Sequence, residues 1–340
     1  MKQNVVILMP DDKTREMFIT PAVIRAFEKL GHLRINEYAK YESISMAKLL
    51  EDCHICVTGW GCPSLDETVL KDAKGLSLVV HTGGSVADLV SDYLYDKGIR
   101  VISGNEIYAE SVAEGTLAYM LAALRRIPFC NKNVQEGLWK DMDRKNKGLL
   151  DRTVGLIGFG AIPRYLVPML KPFRTGIQVY DPFVSDDTLD AYGVERATSL
   201  EDLFAGCDIV SNHLPFTNDT RHLVSADLLS RMRSGALFVN TGRGGTVDEE
   251  ALEAVLQSGT IHAVLDVFEI EPLPMESKLR GLDNAILIPH MAGPTADRYE
   301  TVGLVLAEAS ANWLDGKPLD YEVSREYASK MTSLKMSKKQ

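Results

Sequence analysis

The sequence predicts an α/β fold in two domains, and three observations carry that expectation. At 340 residues the chain exceeds the usual reach of one hydrophobic core. Short apolar, strand-like runs alternate with helix-length amphipathic stretches, the pattern of a parallel sheet covered by helices. One run, Val154-Gly-Leu-Ile-Gly158-Phe-Gly160, passes directly from strand into a glycine turn and then a helix-forming stretch, Arg164 to Leu170.

Taken in order, strands are expected near Val5 to Met9, Ile55 to Thr58, Leu78 to His81 and Val101 to Ile102, with helices such as Pro21 to Leu30 and Met46 to Glu51 between them. A long helical pattern from Ser111 to about Arg126 opens with Ser111-Val-Ala-Glu114, which reads as a capping box and marks the crossing between domains. A second alternating set begins at Thr153 and runs to about Ile288. The last long helical pattern, Ala296 to Leu314, stops at Gly316 with Pro318 behind it and carries the chain back to the first domain. Beyond it, Ser324 to Gln340 is polar and basic, with Lys330, Lys335, Lys338 and Lys339, and reads as a solvated or frayed end.

Composition narrows the function. Apolar residues at 45% and charged at 25% are ordinary globular values. A net charge of −10 repels nucleic-acid backbones and anionic membrane surfaces, so neither partner is expected, and an anionic substrate would need a local positive site. The first apolar run is too short for a signal peptide, and no run approaches membrane-spanning length; a soluble cytoplasmic protein is expected. Five cysteines without a secretion signal read as reduced thiols. Cys53-His-Ile-Cys56, with Cys62 nearby, has the spacing of half a metal site, but it sits in a buried-strand pattern and no second pair completes a zinc shell. No metal is expected.

In the glycine motif, Gly158 permits a tight turn, Gly160 lets the backbone approach a pyrophosphate, and the helix N-terminus offers amide donors. The third glycine is replaced by Pro163, which a first helical turn tolerates because the missing N–H would be unpaired there. A second strand, Gln178-Val-Tyr-Asp181, ends in an acid 23 residues after Gly158, where a ribose-binding carboxylate belongs. No Arg or Lys follows immediately to accept a 2′-phosphate, so NAD is expected over NADP. Three further motifs follow in order: Val239-Asn-Thr-Gly-Arg243-Gly-Gly-Thr-Val-Asp248, Leu265-Asp-Val-Phe-Glu-Ile-Glu271-Pro272, and Ile288-Pro-His290-Met-Ala-Gly293.

With Lys97-Gly-Ile-Arg-Val101, Ile209-Val-Ser-Asn-His-Leu-Pro215 and Leu229-Ser-Arg-Met-Arg-Ser-Gly235, these segments resemble the NAD-dependent D-isomer-specific 2-hydroxyacid dehydrogenase family, including glyoxylate/hydroxypyruvate reductases and phosphoglycerate dehydrogenases. The resemblance covers nearly the whole chain. It implies two Rossmann-like, doubly wound parallel-sheet domains with a cleft between them: a discontinuous, flavodoxin-like substrate domain of residues 1–104 and 295–340, and an NAD-binding domain of residues 105–294. It also implies a homodimer, with the helix from Ser111 a plausible contact.

The same resemblance implies that Arg243 binds the substrate carboxylate and carbonyl, that Glu271 pairs with the histidine, and that His290 is the acid/base. The chemistry agrees independently. Reducing a 2-oxo acid needs a proton on the carbonyl oxygen, which histidine supplies near neutral pH. A neighbouring carboxylate favours the imidazolium form and orients the ring, while the arginine fork matches a carboxylate. By motif, Ala161, Ile162, Thr241, Gly242, Arg243, Asp266, and His290 through Gly293 are expected to contact the cofactor, although Asp266 could serve only to fix its turn. Gly83, Gly84 and Ser85, in Val79-Val-His-Thr-Gly83-Gly84-Ser85-Val86, match the family's substrate loop, where backbone N–H groups can cradle a carboxylate; a tight turn that simply needs glycine is the other reading. Val90 stands where an aspartate is common in the family. The expected function is hydride transfer between NAD(H) and a small 2-oxo or D-2-hydroxy acid of hydroxypyruvate, glyoxylate or phosphoglycerate type. The competing class is an NAD(H)-sensing binding protein of the same fold with little catalysis.

Overall fold

The computed structural model describes residues 3–38, 40–139 and 145–333. Within them the chain divides into two α/β units, the first running to Tyr108 and resuming at Pro294, the second spanning Ala109–Gly293. The division falls inside one helix, Asn105–Leu124, whose first turn is tied to the first unit by the Tyr108 hydroxyl donating to Thr82 O at 2.6 Å.

The first unit holds β1 (Gln3–Ile7), β2 (Gly31–Ile35), β3 (Ile55–Thr58), β4 (Leu78–His81) and β5 (Arg100–Ser103). All pair in parallel in the order β2-β1-β3-β4-β5, the flavodoxin-like order. Alternate residues of each central strand feed opposite cores. Val6, Cys56, Val79 and Val101 pack on one face, while Val5, Ile55, Val57, Leu78 and Val80 pack on the other. The cysteine pair lies within this packing, and burial pushes the Cys53 and Cys62 thiols up to about 12.

The second unit carries β6 (Thr153–Ile157), β7 (Gly176–Tyr180), β8 (Glu195–Arg196), β9 (Ile209–Asn212), β10 (Leu237–Asn240), β11 (His262–Leu265) and β12 (Ala285–Leu287). Their order is β12-β11-β10-β9-β6-β7-β8, again parallel throughout. Strand order reverses between β6 and β9, so the loops after these strands part there and leave a crevice at the carboxyl edge. Fully buried Val154, Leu156, Val179 and Val239 form one face of the core, and Val210, Phe238 and Ala263 the other.

Several sequence expectations are corrected. The long helix begins at Asn105, and Ser111 is a buried mid-helix residue, so Ser111 to Glu114 is not a capping box. The turn at Ser103 and Gly104 starts the helix instead, Ser103 Oγ accepting from Asn105 N and Gly104 O from Tyr108 N. Edge strand β2 was not anticipated, because His32 and Arg34 break its apolar run. The tail is not wholly frayed. Residues Arg325–Ser329 form a helix with Ala328 buried, and Ser85 Oγ donates to Thr332 O at 2.7 Å. Lys335, Lys338 and Lys339 lie outside the described residues.

Candidate active site

Because the second sheet is parallel and its strands are in close register, every motif that follows a strand emerges at the same carboxyl edge. Tyr180, Ile157, Asn212, Asn240, Leu265 and Leu287 are paired in turn across the sheet. Residues spread from 158 to 293 are thereby gathered along one edge.

At the glycine turn, Gly158 adopts φ +86°, a left-handed conformation that disfavours any side chain. Gly160 is extended, and a Cβ there would meet no atom within 4 Å, leaving open space in front of the helix Ala161–Leu170. Ala161 and Ile162 are the first helical residues, so their amides have no helical carbonyl to meet. Pro163 is buried in the first turn, where it sacrifices no helical hydrogen bond. This open backbone cradle fits a dinucleotide pyrophosphate.

The Asp181 carboxylate accepts from Phe159 N at 2.7 Å and from Phe183 N and Val184 N at 2.8 and 3.2 Å, so it also stiffens the glycine turn. Phe183 is 95% exposed beside it. The structure also brings Arg196 to this turn: its guanidinium donates to Asp181 O, Val184 O and Asp186 Oδ1. A reading confined to the residues directly after Asp181 missed this cation, which arrives from β8.

His290 Nδ1 and Glu271 Oε2 are 2.8 Å apart, and Glu271 Oε1 accepts from Phe268 N at 3.0 Å. Nδ1 is therefore the donor to the carboxylate, and Nε2 has no hydrogen-bond partner among the described residues. Burial pushes the Glu271 carboxyl up, but the hydrogen bond and charge of His290, the Phe268 amide and the Arg243 charge outweigh it and hold the group below its usual range. His290 itself has φ +53°, a strained conformation for a non-glycine residue.

Asp266 over-determines that strained turn. Its carbonyl accepts from His290 N at 2.8 Å, and its buried carboxylate accepts from Met291 N and Ala292 N at 2.7 and 3.0 Å. Both carboxylate oxygens thus accept from the chain, as those of Asp181 do at the glycine turn. Gly293 follows in open space, with no atom within 4 Å of a Cβ position.

Arg243 follows β10. Its Nη1 donates to Gly242 O at 2.7 Å, while Nε is buried with no partner. Burial draws the guanidinium below its usual value against the pull of Glu271 and Asp266, yet an arginine remains charged, so an orphaned cationic donor is held at this edge. Gly242 is needed for closeness: a Cβ would stand 3.1 Å from the carbonyls of Asn212 and Leu214. The buried Thr241 hydroxyl lies 3.0 Å from that of Thr116. One pair escaped the sequence reading altogether, His222 Nε2 and Glu269 Oε1 at 2.8 Å, which braces the loop two residues before Glu271. Its members are 47 residues apart, so no local motif signals it.

In the first unit, Gly83, Gly84 and Ser85 follow β4. Their amides donate to no other described residue, as a carboxylate cradle requires. The Ser85 hydroxyl is occupied, donating to Thr332 O and accepting from Ala87 N. Val90 is partly buried against the core.

Residues 117–292 match the family model described as D-isomer specific 2-hydroxyacid dehydrogenase, NAD binding domain. A hydroxypyruvate reductase of Thermotoga maritima is 36% identical over 243 residues, covering 71% of this chain and 78% of the relative. A D-3-phosphoglycerate dehydrogenase of Methanocaldococcus jannaschii is 31% identical over 295 residues, 86% of this chain and 56% of the relative. This chain spans about half the length of the phosphoglycerate dehydrogenases it matches. Among solved structures, a phosphoglycerate oxidoreductase from Rhizobium etli superposes with a TM-score of 0.79 at 25% identity, over 95% of this chain and 98% of that one. D-mandelate dehydrogenase of Rhodotorula graminis shares the fold, with a TM-score of 0.81 at 20% identity over 96% of this chain and 98% of that one.

Proposed function

The chain belongs to the D-isomer specific 2-hydroxyacid dehydrogenase family, and from that premise we propose that it reversibly reduces a small 2-oxo acid to the D-2-hydroxy acid, with His290 as acid/base, Glu271 as its partner and Arg243 as the substrate anchor. The observation that carries the reading is the oriented pair: His290 Nδ1 is committed to Glu271 at 2.8 Å, which leaves Nε2 for substrate.

Bound NADH supplies the hydride that reaches substrate C2. As that carbon gains its new C–H bond, the carbonyl π electrons move to oxygen, and His290 Nε2 gives that oxygen its proton. The neutral imidazole is then reprotonated from solvent. Glu271 stabilises the imidazolium before the transfer and holds the ring in place. Arg243 offers its unpaired donor to the substrate carboxylate and stabilises negative charge developing on the carbonyl oxygen. Gly158, Gly160, Ala161, Ile162 and Asp181 hold the dinucleotide, with Thr241, Gly242 and Gly293 bordering it.

The test is NADH oxidation at 340 nm with glyoxylate, hydroxypyruvate, pyruvate, phenylpyruvate and 3-phosphohydroxypyruvate, alongside NADH titration of the unmodified protein and His290→Ala. Turnover that disappears in His290→Ala while NADH still binds supports the enzyme. Binding without turnover on any acid favours the NAD(H)-sensing alternative. Among the described residues no helix is long and apolar enough to cross a membrane. A cytoplasmic homodimer accompanies this proposal, and sedimentation equilibrium checks the stoichiometry.

A further inference from the structure

We propose that His222 is a positioning residue for the acid/base pair: it ties the turn that carries Arg243 to the loop that carries Glu271, and so keeps the Glu271 carboxylate on His290. The inference rests on the dehydrogenase reading above and adds to it a residue that acts through others.

The two segments are packed backbone to backbone. A Cβ at Gly244, next to Arg243, would fall 1.9 Å from the carbonyl carbon and oxygen of Phe268 and 2.4 Å from Glu269 N, so only glycine lets the Glu271 loop lie on the Arg243 turn. His222 grips both. Its backbone N–H donates to Gly245 O at 3.0 Å, and two residues on Val224 N donates to Thr246 O at 3.0 Å. The Thr246 hydroxyl in turn donates to Arg243 O at 2.6 Å. From the same residue the ring reaches the other segment, Nε2 standing 2.8 Å from Glu269 Oε1. His222 holds φ +49°, a left-handed conformation that a residue other than glycine keeps only where its surroundings over-determine it.

Charge gives the ring its task. Glu269 N donates to Glu249 Oε2 at 2.9 Å, which brings a further carboxyl group against the loop. Burial pushes Glu249 up against the pull of that hydrogen bond, and the charges of Glu269, Glu253 and Glu271 add to the rise. Glu249, Glu253, Glu269 and Glu271 thus crowd one short loop. Lys278 faces Glu253 at 4.0 Å, His290 and Arg243 act on Glu271, and the His222 ring answers Glu269. With Glu269 drawn to the ring, Glu271 keeps Oε1 on Phe268 N and Oε2 on His290 Nδ1. A catalytic group is productive only within about 0.5 Å of its place, which its supporting residues set.

The test measures kcat with the best of the acids above, NADH affinity and melting in His222→Gly, alone and combined with Glu271→Gln, and in Glu269→Gln and Glu269→Ala. Glycine adopts a left-handed φ without strain, so His222→Gly removes the ring and leaves the backbone bond to Gly245 in place. Long-range 1H–15N correlation of the His290 ring, assigned by its absence from His290→Ala, reads whether the neutral ring keeps its proton on Nδ1. The expected result for His222→Gly is a drop in kcat of about tenfold, with NADH Kd unchanged and the His290 ring moved toward the Nε2–H tautomer. Because the effect runs through Glu271, the drop should shrink to less than about twofold in the Glu271→Gln background. Glu269→Gln, which still accepts from the ring, should lose less than Glu269→Ala. Equal losses on both backgrounds in proteins that melt normally overturn the proposal, as does an unchanged His290 tautomer in His222→Gly. If the unmodified protein reduces no acid, the dehydrogenase reading fails by itself and the His290 tautomer decides whether His222 positions Glu271. Turnover that is indifferent to His222→Gly retains the dehydrogenase reading and removes the positioning role.

Discussion

Replacing Gly160 with alanine separates cofactor binding from folding. Gly160 has φ −76° and ψ −156°, which an alanine adopts without a left-handed penalty, and its added methyl would meet no atom within 4 Å. The folded protein should therefore tolerate it. Reduced freedom of the unfolded chain adds about 0.4–1 kcal/mol of stability at such a compatible site, or about 1–4 °C in Tm for a domain of this size. The methyl occupies the space through which a pyrophosphate approaches the helix amides. Losing one hydrogen bond to a charged phosphate costs about 1.5–3 kcal/mol, a rise in NADH Kd of about 10- to 150-fold. Gly158→Ala is the control: at φ +86° a side chain costs about 1–2 kcal/mol of stability. NADH fluorescence titration and scanning calorimetry of the cofactor-free protein read the two effects. Wild-type NADH affinity in Gly160→Ala would refute the placement of the pyrophosphate.

Asp181→Ala should weaken NADH by about tenfold through a lost ribose hydrogen bond and, with Arg196 at the same turn, narrow the preference over NADPH. The ratio of kcat/KM for the two cofactors measures this, and an unmodified protein that prefers NADPH contradicts it. Glu271→Gln keeps an acceptor for His290 Nδ1 but removes its charge. It should lower kcat by about tenfold, corresponding to about 1.4 kcal/mol of charge-assisted bonding, with NADH affinity unchanged. Acid should destabilise both units through buried neutral histidines, His81 held down at about 4 and His213 at about 3. Between the ordinary histidine value near 6.5 and those native values, the unfolded chain binds the extra proton, so stability falls as pH falls, by up to about 1.4 kcal/mol per pH unit for each group. Denaturant melts from pH 7 to 4.5 check the sign, and His81→Gln should flatten the slope. A flat profile in the unmodified protein removes burial as the cause.

The site was legible where its chemistry is local. Gly158, Gly160 and Asp181 sit at strand ends within one β-turn-helix-β stretch, and Arg243, Glu271 and His290 each lie in a short motif around a strand end or its following loop. Apolar runs also announced β3 and β4, because strands buried on both faces admit few polar residues. Edge strand β2 escaped because one exposed side permits His32 and Arg34. Ser111 misled because a serine followed three residues later by glutamate has the same pattern mid-helix as at a cap.

By itself, the sequence determined the α/β class, the glycine turn that opens a helix, and the placing of Arg243, Glu271 and His290 in short motifs near strand ends, since each depends on periodicity or on residues adjacent in the chain. Tertiary structure alone decided that His290 points Nδ1 at Glu271, that Asp266 accepts from the amides of the strained turn, and that Arg196 arrives beside Asp181. These relations join residues from 15 to 26 positions apart. They exist only because parallel pairing in register brings the carboxyl ends of successive strands to a common edge, a long-range arrangement that no local window of the chain contains.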